Sequence, residues 1–212
     1  MKEKRLIIFD LDGTLVNAYP AITKSFNYAM QKMGCPLQKA KVIRRSVGWG
    51  DRNLLKPFVK KKDLKTALLI YRRHHRKALL LGSRLFPQTP AVLISLKNKG
   101  YKLAVASNRP TASCRILIRH LQLYKYLDYV LCADKLKQMK PHPAILNRIM
   151  RKFQVKPDNA IFVGDMFIDA QTGKRAKVKT VMLTTGSSSK EELEKERPWR
   201  IIDRLTELMK LV

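Results

Sequence analysis

Short apolar segments alternate with helical periodicity in the second half of the chain, and this pattern predicts a parallel β-sheet. Apolar runs of four or five residues bounded by polar residues or glycine are typical of buried parallel strands. We predict strands at residues 6–9, 102–106, 129–132, 160–163 and 180–183, which consist mainly of such apolar residues. Apolar residues spaced three and four apart predict helices between them, at about 90–99, 111–122, 143–153 and 168–176. The alternation indicates an α/β fold whose sheet is covered on both faces.

The segment between the first strand and residue 84 has a different pattern, because it contains helical periodicity alone. Apolar residues recur at helical spacing from Ile22 to Met33 and are followed by Gly34. Further helices are predicted at about 38–46, 51–60 and 63–81. We therefore predict a Rossmann-like parallel-sheet core formed by residues 1–16 and 84–212, with residues 17–83 inserted as a helical cap. One amphipathic helix is predicted to close the chain.

Length and composition are those of a globular protein. The chain has 212 residues, 45% of them hydrophobic, and its apolar runs are shorter than the roughly 18 residues of a membrane span. The N-terminus lacks the apolar stretch of a secretory signal. Three cysteines, at positions 35, 114 and 132, are an odd number without metal-ligand spacing, which disfavours a disulfide framework. These features predict a cytoplasmic protein with reduced thiols and no membrane partner.

The formal net charge of +28 is unusually high, with 44 basic and 16 acidic residues. A surface of this charge attracts anions and favours non-specific association with nucleic acid. The basic residues are spread along the whole chain, however, and no zinc finger, helix-turn-helix or aromatic RNA-binding motif accompanies them. We interpret most of them as solvated surface, and a nucleic-acid-binding protein remains an alternative.

Polar side chains follow four of the predicted strands, where an open parallel sheet places its ligands. The chain has Asp10 and Asp12 after the first strand, Ser107 and Asn108 after the second, Lys140 beyond the third, and Asp165 and Asp169 after the fourth. Taken alone, Asp12-Gly13 is also an ordinary turn. Together the residues meet the needs of phosphoryl transfer, because carboxylates bind Mg²⁺ and cationic or hydrogen-bonding groups hold phosphoryl oxygens.

The same residues fall into four ordered motifs. They are Asp10-Leu11-Asp12-Gly13-Thr14, Ser107-Asn108, Lys140-Pro141-His142-Pro143, and Gly164-Asp165 followed by Asp169. With these motifs the chain resembles the haloacid dehalogenase-like hydrolase superfamily, and within it the phosphoglycolate phosphatase-like group that has a helical cap. The resemblance covers essentially the whole chain.

The resemblance implies a role for each motif residue. Asp10 would be the nucleophile, Asp12 the general acid and base, and Lys140 would offset charge on Asp10 and the phosphate. The implied Mg²⁺ ligands are Asp10, the backbone carbonyl of Asp12, and Asp165, with Asp169 holding a metal-bound water or the lysine. The residues implied to contact phosphate are Gly13, Thr14, Ser107 and Asn108.

The implied activity is Mg²⁺-dependent hydrolysis of small phosphorylated metabolites through an aspartyl-phosphate intermediate. A sugar-phosphate mutase of the same superfamily is the alternative enzyme. In the cap, the glycine-containing segment 47–55 resembles a substrate loop. Three arginines near it, Arg44, Arg45 and Arg52, either bind an anionic substituent of the substrate or are surface cations. His74 and His75 are predicted to lie on the solvated face of a cap helix.

Overall fold

A parallel β-sheet forms the centre of the computed structural model, which describes residues 5–212. The strands are β1 (Leu6–Phe9), β2 (Val16–Asn17), β3 (Arg84–Leu85), β4 (Lys102–Ser107), β5 (Tyr129–Cys132), β6 (Ala160–Gly164), β7 (Lys179–Leu183) and β8 (Arg200–Ile202). Six of them form one sheet in the order β5-β4-β1-β6-β7-β8, and all neighbours in it are parallel. The predicted α/β fold class is confirmed.

Helices cover both faces of this sheet and fill the insertion after β1. They are α1 (Tyr19–Lys32), α2 (Ala40–Ser46), α3 (Gly50–Leu55), α4 (Leu64–Gly82), α5 (Thr89–Asn98), α6 (Thr111–His120), α7 (Ala144–Phe153), α8 (Phe167–Ala176) and α9 (Lys190–Lys195). No helix of the described residues is both long enough and apolar enough to cross a membrane.

The central strand shows why the sheet is covered on both faces. Successive side chains of a strand point to opposite faces. Accordingly, Ile7 and Phe9 belong to one hydrophobic cluster and Leu6 and Ile8 to the other, all nearly inaccessible to solvent. Such a strand is a continuous apolar run rather than an alternating one.

The register of the sheet aligns the polar residues that follow its strands. Phe9 of β1 lies opposite Val105 of β4 and Val163 of β6. Asp10 and the residues just after Val105 and Val163 therefore reach the same edge. This is the carboxyl edge, where parallel α/β sheets place their binding sites.

The segment from α1 to α4, which we call the cap, is joined to the sheet through the antiparallel pair of β2 and β3. Helices α1 and α4 pack together and form most of it. The sequence pattern did not predict β2 and β3, because two-residue strands carry no periodicity. The boundaries of the cap at residues 17 and 83 stay a prediction.

The C-terminal region differs from the single amphipathic helix that the sequence predicted. The structure has the short helix α9, the edge strand β8 and a 3₁₀-helix at Leu205–Lys210. Pro198 stands between α9 and β8, where its ring prevents the helix from continuing. Ile201 and Ile202 then pair with β7 and extend the sheet.

Candidate active site

Three buried carboxylates meet at the carboxyl edge of the sheet. Asp10 follows β1, Asp165 follows β6, and Asp169 lies in the first turn of α8. Each offers one carboxylate oxygen, and these oxygens lie within 4.8 Å of one another. Burying like charges this close together is unfavourable unless a cation compensates them. A cluster of hard oxygen donors fits a divalent cation of the Mg²⁺ type.

Lys140 is the protein's own cation in this cluster. Its Nζ donates to Asp10 Oδ1 at 2.6 Å and to Asp169 Oδ1 at 2.7 Å, and the side chain is buried. Burial alone lowers the pKa of a lysine, but these two carboxylates outweigh it and raise the pKa of Lys140. The lysine is therefore held in its charged form.

The side chain of Asn108 fixes the backbone at Lys140 through hydrogen bonds. Its Oδ1 accepts from the backbone N–H of Lys140 at 2.9 Å. Its Nδ2 donates to the carbonyl oxygens of Lys140 at 3.0 Å and of Gly48 in the cap at 2.9 Å. Both amide protons are thus engaged by the protein itself. The contact with phosphate that the resemblance implies for Asn108 stays a prediction.

Burial in this cluster raises the pKa of two of its carboxyls, those of Asp10 and Asp165. Burial is the largest cause for Asp10 and raises its pKa to about 7, although the Lys140 charge opposes the shift. Burial, followed by the charges of Asp10 and Asp169, also raises the pKa of Asp165 well above its ordinary value. Asp10 and Asp165 therefore retain protons more readily than exposed aspartates do.

These shifts predict how the stability of the metal-free protein depends on pH. Asp10 has a pKa of 3.8 when exposed and about 7 when folded, so between these values the folded state binds more protons than the unfolded state. The contribution of Asp10 to the free energy of unfolding should fall as the pH rises through this window, whereas buried His75, whose pKa is lowered to about 2, contributes in the opposite direction below pH 6.5. Urea denaturation in chelator at pH 5 and pH 8 measures the slope. Asp10→Asn removes the contribution of Asp10, so between pH 5 and pH 8 the variant should lose less stability, or gain more, than the wild type; an equal change in both proteins would contradict the assignment.

Gly13 and Thr14 lie directly against Asp165. Gly13 has a φ of +93°, which a side chain rarely adopts, and a Cβ there would lie 2.6 Å from Cγ of Asp165. Thr14 Oγ1 donates to Asp165 Oδ1 at 2.8 Å. Neither residue lines the pocket over the cluster. In this structure both residues help to position Asp165, and their implied contact with phosphate stays a prediction.

A pocket lies between the cluster and the cap. The core lines it with Asp10, Asp12, Ser107, Asn108, Arg109, Lys140, Met166, Ile168 and Asp169. The cap lines it with Ile22, Val47, Gly48, Gly50, Asp51, Leu54 and Tyr71. The core side is charged and the cap side mostly apolar. The structure therefore brings all the predicted catalytic residues, together with Ser107, to one cap-covered pocket.

The three cap arginines are not part of this pocket. Arg52 is exposed on α3, because Leu54 and Leu55 form the buried face of that helix and Arg52 points away from them. Arg44 donates to the carbonyl oxygens of Thr185 and Gly186. Arg45 forms an ion pair with Glu192. In this arrangement they contact the core or the solvent, and the substrate contact of Arg52 stays a prediction.

Arg109 is a functional candidate that the sequence analysis missed. It is buried and binds both carboxylate oxygens of Asp12, with Nε 2.8 Å from Oδ2 and Nη2 2.7 Å from Oδ1. Its position directly after Ser107-Asn108 was the available signal. Because the chain has 44 basic residues, the presence of an arginine at this position was not distinctive in the sequence.

The prediction that His75 is solvated is wrong. His75 is buried, and its Nε2 lies 2.9 Å from Nη1 of Arg109. Ala67, Tyr71 and Ala78 are buried on the same face of α4, and this three-and-four spacing would have placed His75 among them. His74, at the neighbouring position, is half-buried and stacks on Tyr28.

Fold and site together define a class of protein. It is a parallel-sheet α/β protein with a carboxylate centre at the carboxyl edge of the sheet and a helical cap inserted after the first strand. The chain belongs to the haloacid dehalogenase-like hydrolase family, whose model matches residues 7–183.

Individual relatives are similar over their full length. The chain is 29% identical to a phosphoglycolate phosphatase of Aquifex aeolicus, over 98% of this chain and 96% of the relative. It is 30% identical to the probable phosphatase IndB of Dickeya dadantii, over 97% and 92%. The crystal structure of a predicted phosphoglycolate phosphatase from Haemophilus somnus superposes with a TM-score of 0.92 at 27% identity, covering 100% of this chain and 99% of that one.

Proposed function

We propose that the protein is a Mg²⁺-dependent phosphatase that hydrolyses small phosphate monoesters through an aspartyl-phosphate on Asp10, similar to phosphoglycolate phosphatases. The observation that carries the proposal is the meeting of Asp10, Asp12 and Lys140 in one pocket beside a three-carboxylate cluster. The names of the relatives support the same activity.

Asp10 is the nucleophile in this proposal. Its Oδ1 is fixed by Lys140, and its carboxylate borders the pocket where a phosphate would enter. Attack on phosphorus forms a new bond to a carboxylate oxygen while the bond from phosphorus to the leaving oxygen breaks. The attack requires ionised Asp10. Lys140 favours that form, and so does a bound cation.

Asp12 is the general acid and base. It lies two residues beyond Asp10, lines the same pocket and is held in one orientation by Arg109. A protonated Asp12 gives its proton to the departing alkoxide. The resulting carboxylate then accepts a proton from the water that hydrolyses the acyl phosphate.

Asp10, Asp165 and Asp169 are the residues that would hold Mg²⁺, and a bound ion would neutralise charge on the phosphoryl oxygens. Ser107 supplies a hydroxyl at the pocket wall, and Lys140 supplies a fixed positive charge. Ile22, Val47, Leu54 and Tyr71 of the cap form an apolar roof. Such a roof excludes water and strengthens the electrostatic contacts beneath it.

Release of inorganic phosphate tests the proposal. We expect the protein to hydrolyse an aryl phosphate and 2-phosphoglycolate with Mg²⁺, to stop when a chelator is added, and to resume with excess Mg²⁺. Phosphate release that is insensitive to the chelator would contradict it. Isomerisation of a sugar phosphate without phosphate release would identify the alternative mutase. Association with nucleic acid and location in the cytoplasm stay predictions.

A further inference from the structure

The cap contacts the acidic cluster from outside the pocket, through Tyr19 of α1. Tyr19 Oη donates to Oδ2 of Asp165 at 3.4 Å, and both side chains are buried at this contact. Tyr19 does not line the pocket above the cluster. It lines a separate cleft of about 760 Å³ that is formed by α1, α2 and the core. The hydroxyl can therefore act on Asp165 without contacting a substrate in the pocket.

Close packing gives the Tyr19 hydroxyl a defined place beside Asp165. A Cβ on Gly13 would lie 2.6 Å from Tyr19 Oη and would also overlap Oδ2 of Asp165. The hydroxyl and the carboxylate thus share the space that a side chain at residue 13 would fill. The backbone N–H of Ser187 donates to the same Oδ2 at 3.4 Å, and Thr14 donates to Oδ1 at 2.8 Å. Together these three donors hold Asp165 in one orientation.

A second cap residue, Arg44 of α2, fixes the position of Tyr19. Its guanidinium carbon lies 4.5 Å from the centre of the Tyr19 ring, a cation–π contact. Its Nη2 donates to the carbonyl oxygens of Thr185 at 2.7 Å and of Gly186 at 2.8 Å. Gly186 packs so closely on Asp165 that a Cβ there would overlap the carboxylate. Arg44 therefore joins the tyrosine to the core loop beside Asp165.

The orientation of Asp165 matters for a metal ion, because Mg²⁺ requires near-ideal octahedral geometry. Hydrogen bonds from surrounding groups orient the ligands of a metal, and the loss of one typically weakens metal binding by about 10- to 100-fold. The contact from the Tyr19 hydroxyl is long for a hydrogen bond between two oxygens, so we expect the lower end of this range. Asp165 is inaccessible to solvent, so water does not readily replace a lost donor.

We propose that Tyr19 is a positioning residue of the metal site: its hydroxyl orients Asp165, Arg44 holds the tyrosine in place, and the affinity for Mg²⁺ therefore depends on the cap. This proposal rests on the proposed function, which assigns Mg²⁺ to Asp10, Asp165 and Asp169. It gives Arg44 a role other than the substrate contact that the sequence left open. Because coupling between two sites is reciprocal, bound Mg²⁺ also stabilises the packing of the cap on the core.

Binding of Mg²⁺ to the metal-free protein, measured by isothermal titration calorimetry, tests the proposal. Tyr19→Phe removes only the hydroxyl and should raise the dissociation constant for Mg²⁺ about 10-fold. Phosphate release by this variant should be low at limiting Mg²⁺ and recover most of the wild-type kcat at saturating Mg²⁺. Arg44→Met leaves the hydroxyl but loosens the tyrosine, so it should raise the dissociation constant by a smaller factor.

A second arginine–tyrosine pair, away from the site, supplies matched controls. The guanidinium carbon of Arg5 lies 4.4 Å from the centre of the Tyr101 ring, and Arg5 donates to the Tyr101 hydroxyl at 2.9 Å. Tyr101→Phe and Arg5→Met remove the same groups as the two test variants. Both controls should leave the dissociation constant for Mg²⁺ unchanged.

An unchanged dissociation constant in Tyr19→Phe would overturn the proposal. An equal increase in Tyr101→Phe would overturn it too, because the affinity would then follow stability in general. If Tyr19→Phe does not fold, the comparison of Arg44→Met with Arg5→Met decides the question. Absence of Mg²⁺ binding by the wild type would refute the proposed function together with this proposal, whereas equal binding by wild type and Tyr19→Phe refutes only the role of Tyr19.

Discussion

Replacing Asp10 with asparagine is expected to reduce phosphate release by about 10⁴-fold or more, because an amide oxygen cannot serve as the nucleophile. Asparagine has nearly the same shape as aspartate and can still accept a hydrogen bond from Lys140. The loss should therefore appear in kcat, measured with saturating Mg²⁺ and substrate. A variant that retains more than a few per cent of the wild-type kcat would show that phosphorus is attacked by another group.

The stability of Asp10→Asn provides the control, because it shows whether the loss of activity comes from unfolding. Asp10 lies among the buried carboxylates of Asp165 and Asp169, so removing its charge relieves repulsion in the metal-free protein. Asp10→Asn should consequently be at least as stable as the wild type in chelator at pH 8. Active sites often trade stability for activity in this way. Asp128→Asn is a matched replacement outside the pocket, where Asp128 pairs with Lys97, and it should leave kcat unchanged.

The convergence of the acidic residues could be predicted from the sequence because it follows from general rules of parallel sheets. A run such as Leu6–Phe9 indicates a buried strand, and the residue after a parallel strand reaches the carboxyl edge. Asp10 and Asp165 each follow such a run, so their proximity depends only on β1 and β6 being neighbours. Lys140 lies in a loop without such a rule, and it was predicted from the motif resemblance.

The contacts between cap and core could not be predicted in the same way. The pairing of Arg109 with Asp12 and His75 depends on how α4 lies above the sheet, and no local pattern encodes the relative placement of two packed layers. For Arg52, by contrast, the sequence suggested a contact rather than missing one. Its position beside a glycine-containing segment suggested a substrate contact, but the apolar face of α3 determines which way it points.

The positive charge of Lys140 explains how the folded protein tolerates a cluster of buried carboxylates. Asp10 and Asp169 are buried carboxylates, and Lys140 contacts both. The free energy of such an arrangement depends strongly on whether every charge has a partner. The lysine therefore stabilises the fold before any metal or substrate binds. The proposed chemistry uses the same charge to hold the phosphoryl group.

Lys140→Met is accordingly expected to cost both stability and activity. Methionine fills a similar volume but leaves Asp10 and Asp169 as uncompensated buried charges, a change that typically destabilises a protein by about 3–5 kcal/mol. Urea denaturation in chelator at pH 8 measures the loss. As a control, Lys97→Met breaks the partly exposed pair with Asp128 and should cost only about 0–1 kcal/mol.

Magnesium should reverse part of the damage in Lys140→Met, because a divalent cation compensates the same carboxylates. The increase in unfolding free energy on adding Mg²⁺ should be larger in the variant than in the wild type, where Lys140 already supplies a positive charge. Phosphate release should remain low even with Mg²⁺, because the metal does not replace the hydrogen bond that fixes Asp10 Oδ1. An equal effect of Mg²⁺ on both proteins would show that lysine and metal act on separate carboxylates, and it would contradict the shared site.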